Sequence, residues 1–225
     1  MAETNMYFED NRDLASDPKE LRVRLLGEDF RFWTDNGVFS KSGVDFGSRL
    51  LIETFEPSVG EGTLLDVGCG YGVIGIALAK SYGLSLTGVD VNPRALDLAQ
   101  KNALSNLTIT SSGLSESLQR LDEISDSLSN LTTAEFLMSD GLSALTEQKF
   151  SDVVTNPPIR AGKEVVHRIL SESFEHLTPG GSLWVVIQKK QGAPSAVKKL
   201  EEVFGNVEKV KQDKGYWILR SVKKG

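Results

Sequence analysis

Residues 64–80 read LLDVGCGYGVIGIALAK, and the turn inside them, Asp66-Val67-Gly68-Cys69-Gly70-Tyr71-Gly72-Val73-Ile74-Gly75, decides the fold. The apolar run 63–67, bounded by Gly62 and Gly68, has the length and composition of a buried strand. Residues 72–80 are apolar nearly all round, as a helix packed on a sheet is. Between them the glycines permit a tight turn and let a ligand come within contact distance of the backbone, beside the N-terminus of the helix. Gly70, Gly72 and Gly75 satisfy G-x-G-x-x-G, a nucleotide-binding pattern that is unspecific alone. Asp90 follows at the end of the next strand, where a carboxylate accepts hydrogen bonds from both ribose hydroxyls of a nucleoside.

Working outward, strand-like and helix-like runs alternate, which predicts an α/β layer fold with a mostly parallel sheet. The second strand is expected over 84–89. Asn92 then caps a helix whose first position is Pro93, with Ala95, Leu96, Ala99 and Ala103 on one face. Strands at 135–138 and 152–155 end at Ser139-Asp140-Gly141 and at Asn156-Pro157-Pro158-Ile159. Val165, Val166, Ile169, Leu170, Phe174 and Leu177 keep helical period up to Pro179. A strand at 181–188, a helix over 194–204 and two strands near 206–211 and 215–221 complete the alternation. Two segments stand outside it. Residues 21–33 alternate strictly around Gly27-Glu28-Asp29, a hairpin signature with Arg22, Arg24 and Arg31 on its polar face. Residues 105–133 carry Leu114, Leu118, Leu121, Ile124, Leu128 and Leu131 at helical spacing, and read as a helical insertion covering the sheet edge. The expected organisation is an N-terminal extension over 1–50 and a main domain over 51–225.

Composition narrows the class. In 225 residues, 40% are hydrophobic and 25% charged, ordinary globular usage that excludes a disordered or collagen-like chain. The net charge of -6 argues against coating nucleic acid by bulk attraction. That charge is uneven: residues 181–225 carry ten Lys and Arg against four Asp and Glu, a net +6, which leaves -12 for the rest. Cys69 is the single cysteine, so no intrachain disulfide forms and a reducing cytoplasm is expected. With two histidines beside it, no metal set is expected either. No apolar run is long enough to suggest a membrane partner.

The register of the turn separates cofactors. In a dehydrogenase the glycines cup a pyrophosphate, which a carboxylate at the tip of the first strand repels. Asp66 occupies that tip and suits a cationic ligand such as S-adenosylmethionine, which carries a sulfonium and an ammonium and no phosphate. At the exit of the fourth strand, Pro157 and Pro158 stiffen the turn and aim its carbonyls. The Asn156 side-chain oxygen and the Pro157 carbonyl are two acceptors able to hold the two N–H groups of an exocyclic amine, leaving its lone pair to face an electrophilic methyl group.

LLDVGCGYGVIGIALAK followed by GVDVNPRALDLAQKNA resembles motifs I and II of class I S-adenosylmethionine-dependent methyltransferases. The resemblance implies a Rossmann-like, mostly parallel seven-stranded sheet with helices on both faces. It assigns Asp66, Gly68, Gly70, Asp90, Val91 and Asn156 to the cofactor, and Asp140 to the adenine amino group. NPPI resembles motif IV of amino-methyltransferases, which act on adenine N6, guanine N2 or the glutamine side chain. Ile159 departs from the aromatic residue usual there, so stacking on the target falls to another ring, for which Phe39 is the candidate. Gly37-Val38-Phe39-Ser40 and Asp45-Phe46-Gly47-Ser48 upstream resemble the leading segment of the RsmC-like small-subunit rRNA guanine-N2 methyltransferases, in particular their single-domain, YbxB-like members. That family implies guanine N2 of 16S rRNA, free or in the small ribosomal subunit, as the target. Asn156 and Pro157 would then be catalytic, with Pro158, Ile159 and Phe39 at the base. Lys189 and Lys190, together with Arg22, Arg24 and Arg31, are expected to hold RNA phosphates. A glutamine-N5 or adenine-N6 methyltransferase, a non-catalytic RNA-binding or assembly factor and a nicotinamide dehydrogenase remain alternatives.

Overall fold

In a computed structural model, residues 15–41, 43–60, 62–107 and 132–225 are described. The helical insertion expected over 105–133 falls almost wholly outside them. An antiparallel hairpin, β1 (Lys19–Leu25) and β2 (Glu28–Thr34), comes first, then helix α1 (Phe46–Thr54). β3 (Thr63–Val67), α2 (Val73–Tyr82), β4 (Ser85–Asp90), α3 (Pro93–Asn106) and β5 (Ala134–Met138) form one wound half. β6 (Phe150–Thr155), α4 (Lys163–His176), β7 (Leu177–Gln188), α5 (Ala193–Phe204), β8 (Glu208–Asp213) and β9 (Tyr216–Val222) form the other.

The main sheet has the order β5-β4-β3-β6-β7-β9-β8. β5, β4, β3, β6 and β7 run parallel, and β9 is antiparallel to both of its neighbours. This is the mostly parallel α/β sheet that the alternation predicts, in the Rossmann-like arrangement that the family resemblance implies. Successive strand residues feed opposite layers, as a period of two requires. Leu64, Val154, Trp184 and Ile218 join the core under α1 and α2, while Leu65, Val153, Leu183 and Leu219 join the core under α4 and α5. The order reverses between β3 and β6, so the crevice at their carboxyl ends is the switch point where ligands of such sheets bind.

The largest departure from the expected boundaries lies between α4 and β7. Leu177 is not helical: it is extended (φ -85°, ψ 143°) and opens β7 opposite Phe150. Pro179 disfavours helix at Thr178, so the helix ends before Leu177 while that residue stays buried. β7 accordingly starts at Leu177 rather than at residue 181.

The hairpin turns through Leu26 and Gly27, both at positive φ, as a two-residue turn between twisted strands requires. Its free edge is closed by amide side chains one turn apart on α3. Asn102 bonds the backbone N–H and carbonyl of Trp33 at 2.6 and 2.9 Å, and Asn106 does the same for Arg31 at 2.9 and 2.8 Å. No helix among the described residues is long and apolar enough to cross a membrane.

Candidate active site

β3 hands the chain to the glycine turn at Val67. The Gly68 and Cys69 N–H groups both donate to the Val89 carbonyl, at 2.8 and 3.0 Å, which ties the turn to β4. Gly68 and Gly70 stand at φ +70° and +57°, and a Cβ at either would meet nothing within 4 Å, so their bare backbone faces open space. The Asp90 carboxylate is fixed from two sides, accepting the Gly70 N–H at 2.8 Å and the Asn92 N–H at 2.9 Å. Each oxygen keeps acceptor capacity toward the cleft, which fits a pair of vicinal hydroxyls.

Asp66 lies behind the turn rather than at its surface. The residue is 1% exposed and does not line the cleft. One carboxylate oxygen accepts the Gly75 N–H at 2.8 Å; the other has no partner. Gly75 permits this approach, since a Cβ there would sit 2.6 Å from Leu86 and 3.0 Å from the same carboxylate. Burial pushes the Asp66 carboxyl up to about 7, with Asp90 adding to it and the Gly75 bond opposing. A buried carboxylate with an orphaned oxygen favours a nearby positive charge and disfavours a phosphate.

A mostly apolar cleft runs from this turn between the strand ends. Val91, 38% exposed, is an apolar wall beside Asp90. Ser139, Asp140 and Gly141 line its far end. The Asp140 carboxylate is held by both terminal nitrogens of Arg168, so the adenine contact expected of it would be shared with that guanidinium. Ser139, which sequence reasoning did not single out, is buried, with its N–H on the Asp90 carbonyl at 3.0 Å and its hydroxyl bonded to Gly141 and Ala144. Cys69 is buried, and burial followed by Asp90 and Asp66 raises its thiol, so no nucleophilic thiolate stands here.

Asn156 and Pro157 close the cleft at the end of β6. Thr155 anchors that end by donating to the Val67 carbonyl at 2.8 Å. A second cleft of about 410 Å³ opens on the other side of the same residues. The two clefts share Val38, Phe39, Asn156 and Pro157. Phe39 is 40% exposed at this junction, Ile159 and Arg160 form one wall of the second cleft, and Gln188, Gln191 and Tyr216 form another. Tyr216 carried no signal in the sequence beyond strand alternation. Its ring packs on Phe46, 5.7 Å between centroids.

The loop bearing Phe39 is stapled at its base. Asp35 accepts from the Ser16 hydroxyl at 2.7 Å and the backbone N–H groups of Asp17 and Asn36 at 2.6 and 2.7 Å, and pairs with Arg94 at 3.5 Å. Burial would raise this carboxyl, but those donors and Arg94 hold it below the usual range. Asn92, read as a helix cap, also donates to the Gly37 carbonyl at 2.8 Å, so one side chain ties the loop to the Asp90 strand end.

Lys189 and Lys190 are exposed on the turn after β7, with the Lys189 N–H on the Gly215 carbonyl at 2.8 Å. Arg22, Arg24 and Arg31 line a third cleft, which Lys189 and Lys190 do not line. Arg31 is bonded to Asn106, the last residue of α3, whereas the loop at Gly37 meets Asn92 at the helix start. The length of α3, roughly 20 Å at 1.5 Å per residue, separates the two. Arg22 and Arg31 face each other across the hairpin, and Arg22 is paired with Glu20 at 2.6 Å. His167 bonds Ser195 at 2.9 Å and His176 bonds the Gln148 carbonyl at 2.9 Å, both away from the clefts.

The sheet, the bare glycine backbone, the twice-anchored Asp90 and the buried Asp66 define a Rossmann-like protein whose cleft fits a phosphate-free, cationic nucleoside such as S-adenosylmethionine. Comparison with known proteins agrees. The family model for the methyltransferase small domain matches residues 29–127 and 120–220. The uncharacterized protein YbxB of Bacillus subtilis (strain 168) is 45% identical over 219 residues, 96% of this chain and 98% of that protein. The solved structure of the T. thermophilus 16S rRNA N2 G1207 methyltransferase (RsmC), in complex with AdoMet and guanosine, superposes with a TM-score of 0.73 at 27% identity, covering 92% of this chain. The chain spans about half the length of that protein (51%). A methyltransferase from Pyrococcus furiosus shares the fold, with a TM-score of 0.57 at 19% identity over 78% of this chain and 80% of that one. The chain belongs to the methyltransferase small domain family.

Proposed function

We propose that this protein transfers the methyl group of S-adenosylmethionine to an exocyclic amine, guanine N2 of 16S ribosomal RNA, free or within the small ribosomal subunit. The observation that carries the reading is the meeting of two clefts at Asn156 and Pro157, one suited to the cofactor and one open to a base. The likeness to RsmC, solved with AdoMet and guanosine, supports the choice of guanine.

Bound in the first cleft, the cofactor supplies an electrophilic methyl on sulfur. Gly68 and Gly70 give it room, the Asp90 carboxylate takes the ribose hydroxyls, and Val91 packs on adenine. Asp140 reaches the adenine amino group while paired with Arg168. Asp66 lies buried behind the turn with its carboxyl pushed up to about 7, and a sulfonium or ammonium group in the cleft would favour its charged form.

The target base enters the second cleft against Phe39 and Ile159, with Pro158 on the side of the cofactor cleft. A guanine N2 lone pair is delocalised into the ring, so the amine is a weak nucleophile. Asn156 Oδ1 and the Pro157 carbonyl accept its two N–H groups; no described residue donates to either oxygen. Held so, the nitrogen turns its lone pair to the methyl, and the positive charge that develops on it is met by two fixed dipoles. Orientation does the work and no strong base is needed before transfer. Lys189 and Lys190 hold phosphates near the cleft mouth.

The test is transfer of labelled methyl to 16S rRNA and to 30S subunits, with nucleoside analysis of the product. Label in N2-methylguanosine supports the reading; label only in N6-methyladenosine or in protein, or none in the presence of bound cofactor, refutes it. Asn156→Ala is expected to abolish turnover while cofactor affinity stays unchanged.

A further inference from the structure

An asparagine amide has two ends of nearly equal size and opposite hydrogen-bonding character. Only with Oδ1 toward the reacting amine does Asn156 accept an N–H; turned about, it would set its own N–H groups against those of the amine. Something outside the reacting pair must therefore fix the amide.

The side chain of Asn156 makes one hydrogen bond among the described residues: Nδ2 donates to the Ser48 hydroxyl oxygen at 3.1 Å. Ser48 is 2% exposed and lies in the first turn of α1. That turn is itself locked, because Asp45 Oδ1 accepts the backbone N–H groups of Gly47 at 3.0 Å and Ser48 at 3.1 Å. Asn156 and Ser48 are 108 residues apart, so the contact depends on α1 docking against the sheet. The hydroxyl also lines the cofactor cleft, beside the place where methyl and amine must meet.

We propose that Ser48 is a positioning residue: its buried hydroxyl anchors the Asn156 amide through Nδ2, the arrangement that leaves Oδ1 for the reacting amine. The inference rests on the amine-methylating role given to Asn156 above. Without the hydroxyl, the Nδ2–H is left unpaired in a nearly closed site and the amide is free to rotate about its last bond.

The test compares wild type, Ser48→Ala, Ser48→Cys, Ser48→Thr, Asn156→Ala and the double variant Ser48→Ala/Asn156→Ala, with rRNA as substrate and calorimetry for cofactor binding. Ser48→Ala is expected to lower kcat by about tenfold or more, the scale of a misplaced catalytic group. KM for RNA, cofactor affinity and the melting temperature stay near wild type. Ser48→Thr, which keeps the hydroxyl, recovers most of the loss; Ser48→Cys, of similar volume but a poor acceptor, does not. In single-turnover transfer with excess enzyme, where a residual rate is readable after steady-state turnover is lost, the double variant is no slower than Asn156→Ala alone, because both remove one function. Ser48→Ala or Ser48→Cys with kcat within about twofold of wild type, no recovery in Ser48→Thr, or losses that multiply in the double variant would overturn the proposal. Full turnover in Asn156→Ala would instead refute the amine-binding role itself, whereas an inactive Asn156→Ala beside a fully active Ser48→Ala refutes only the positioning by Ser48.

Discussion

Tyr216 leans on Gly47 so closely that a Cβ on Gly47 would come within 2.7 Å of its ring. Gly47 belongs to the first turn of α1, and Tyr216 to β9 and to the wall of the second cleft. A glycine is thus needed here for a neighbouring ring rather than for its own backbone angle.

Gly47→Ala is accordingly expected to push Tyr216 into the second cleft. The strain should cost about 1–3 kcal/mol, as overpacking does. Its functional signature is a raised KM for RNA with unchanged cofactor affinity, measured by initial rates and calorimetry. A variant with wild-type KM would show that the Tyr216 wall does not touch the substrate.

The Asp66 carboxyl titrates at about 7 in the fold against 3.8 in the open chain. The native state therefore holds a proton that the unfolded state has lost between those two values. This contribution to stability is complete below pH 3.8, falls as pH rises and is gone above about 7. Asp66→Asn removes the titration, so the melting temperature of wild type minus that of the variant should decline from pH 4 to pH 7 and then level. A difference that stays flat across this range would refute the assignment.

In the central strand β6, Asp152 is wholly buried and held by Ser58, through its N–H at 2.9 Å and its hydroxyl at 2.7 Å. Burial raises this carboxyl, and the Ser58 bonds lower it. Ser58→Ala strips one donor from a buried carboxylate, with an expected loss of about 1–3 kcal/mol in denaturant unfolding. Specific activity of the folded variant should not change, because Ser58 lies outside both clefts.

Lys189 and Lys190, exposed on the turn between the cleft-lining Gln188 and Gln191, are the residues proposed above to hold RNA phosphates. Replacing both by Ala should flatten the dependence of log K on log salt by about 1.5, the share of two contacts to single-stranded RNA. Replacing Arg22 and Arg31, which line the third cleft, should leave methylation of a short oligonucleotide unchanged. An unaltered salt slope in the lysine variant would remove these residues from the RNA surface.

The strand and helix alternation, the glycine turn, Asp90 at its strand tip and the Asn156-Pro157 exit were legible in the sequence because each is a local signal. Periodicity, glycine spacing and proline stiffness act over a few residues. The same local logic misjudged Leu177, whose burial satisfies a helix pattern and a strand pattern alike. It could not tell that Asp66 points away from the cleft toward Gly75, since strand alternation leaves either face available. Nor could it gather Arg22, Arg24 and Arg31 into a cleft of their own, because charge carries no address until the hairpin packs on α3. Ser48 against Asn156, and Tyr216 against Gly47, join residues more than a hundred positions apart. Such contacts are chosen by how α1 and β9 pack on the sheet. The sequence by itself thus determined the class of cofactor cleft and the acceptors at its end, while tertiary packing alone decided which side chains steady those acceptors and wall the second cleft.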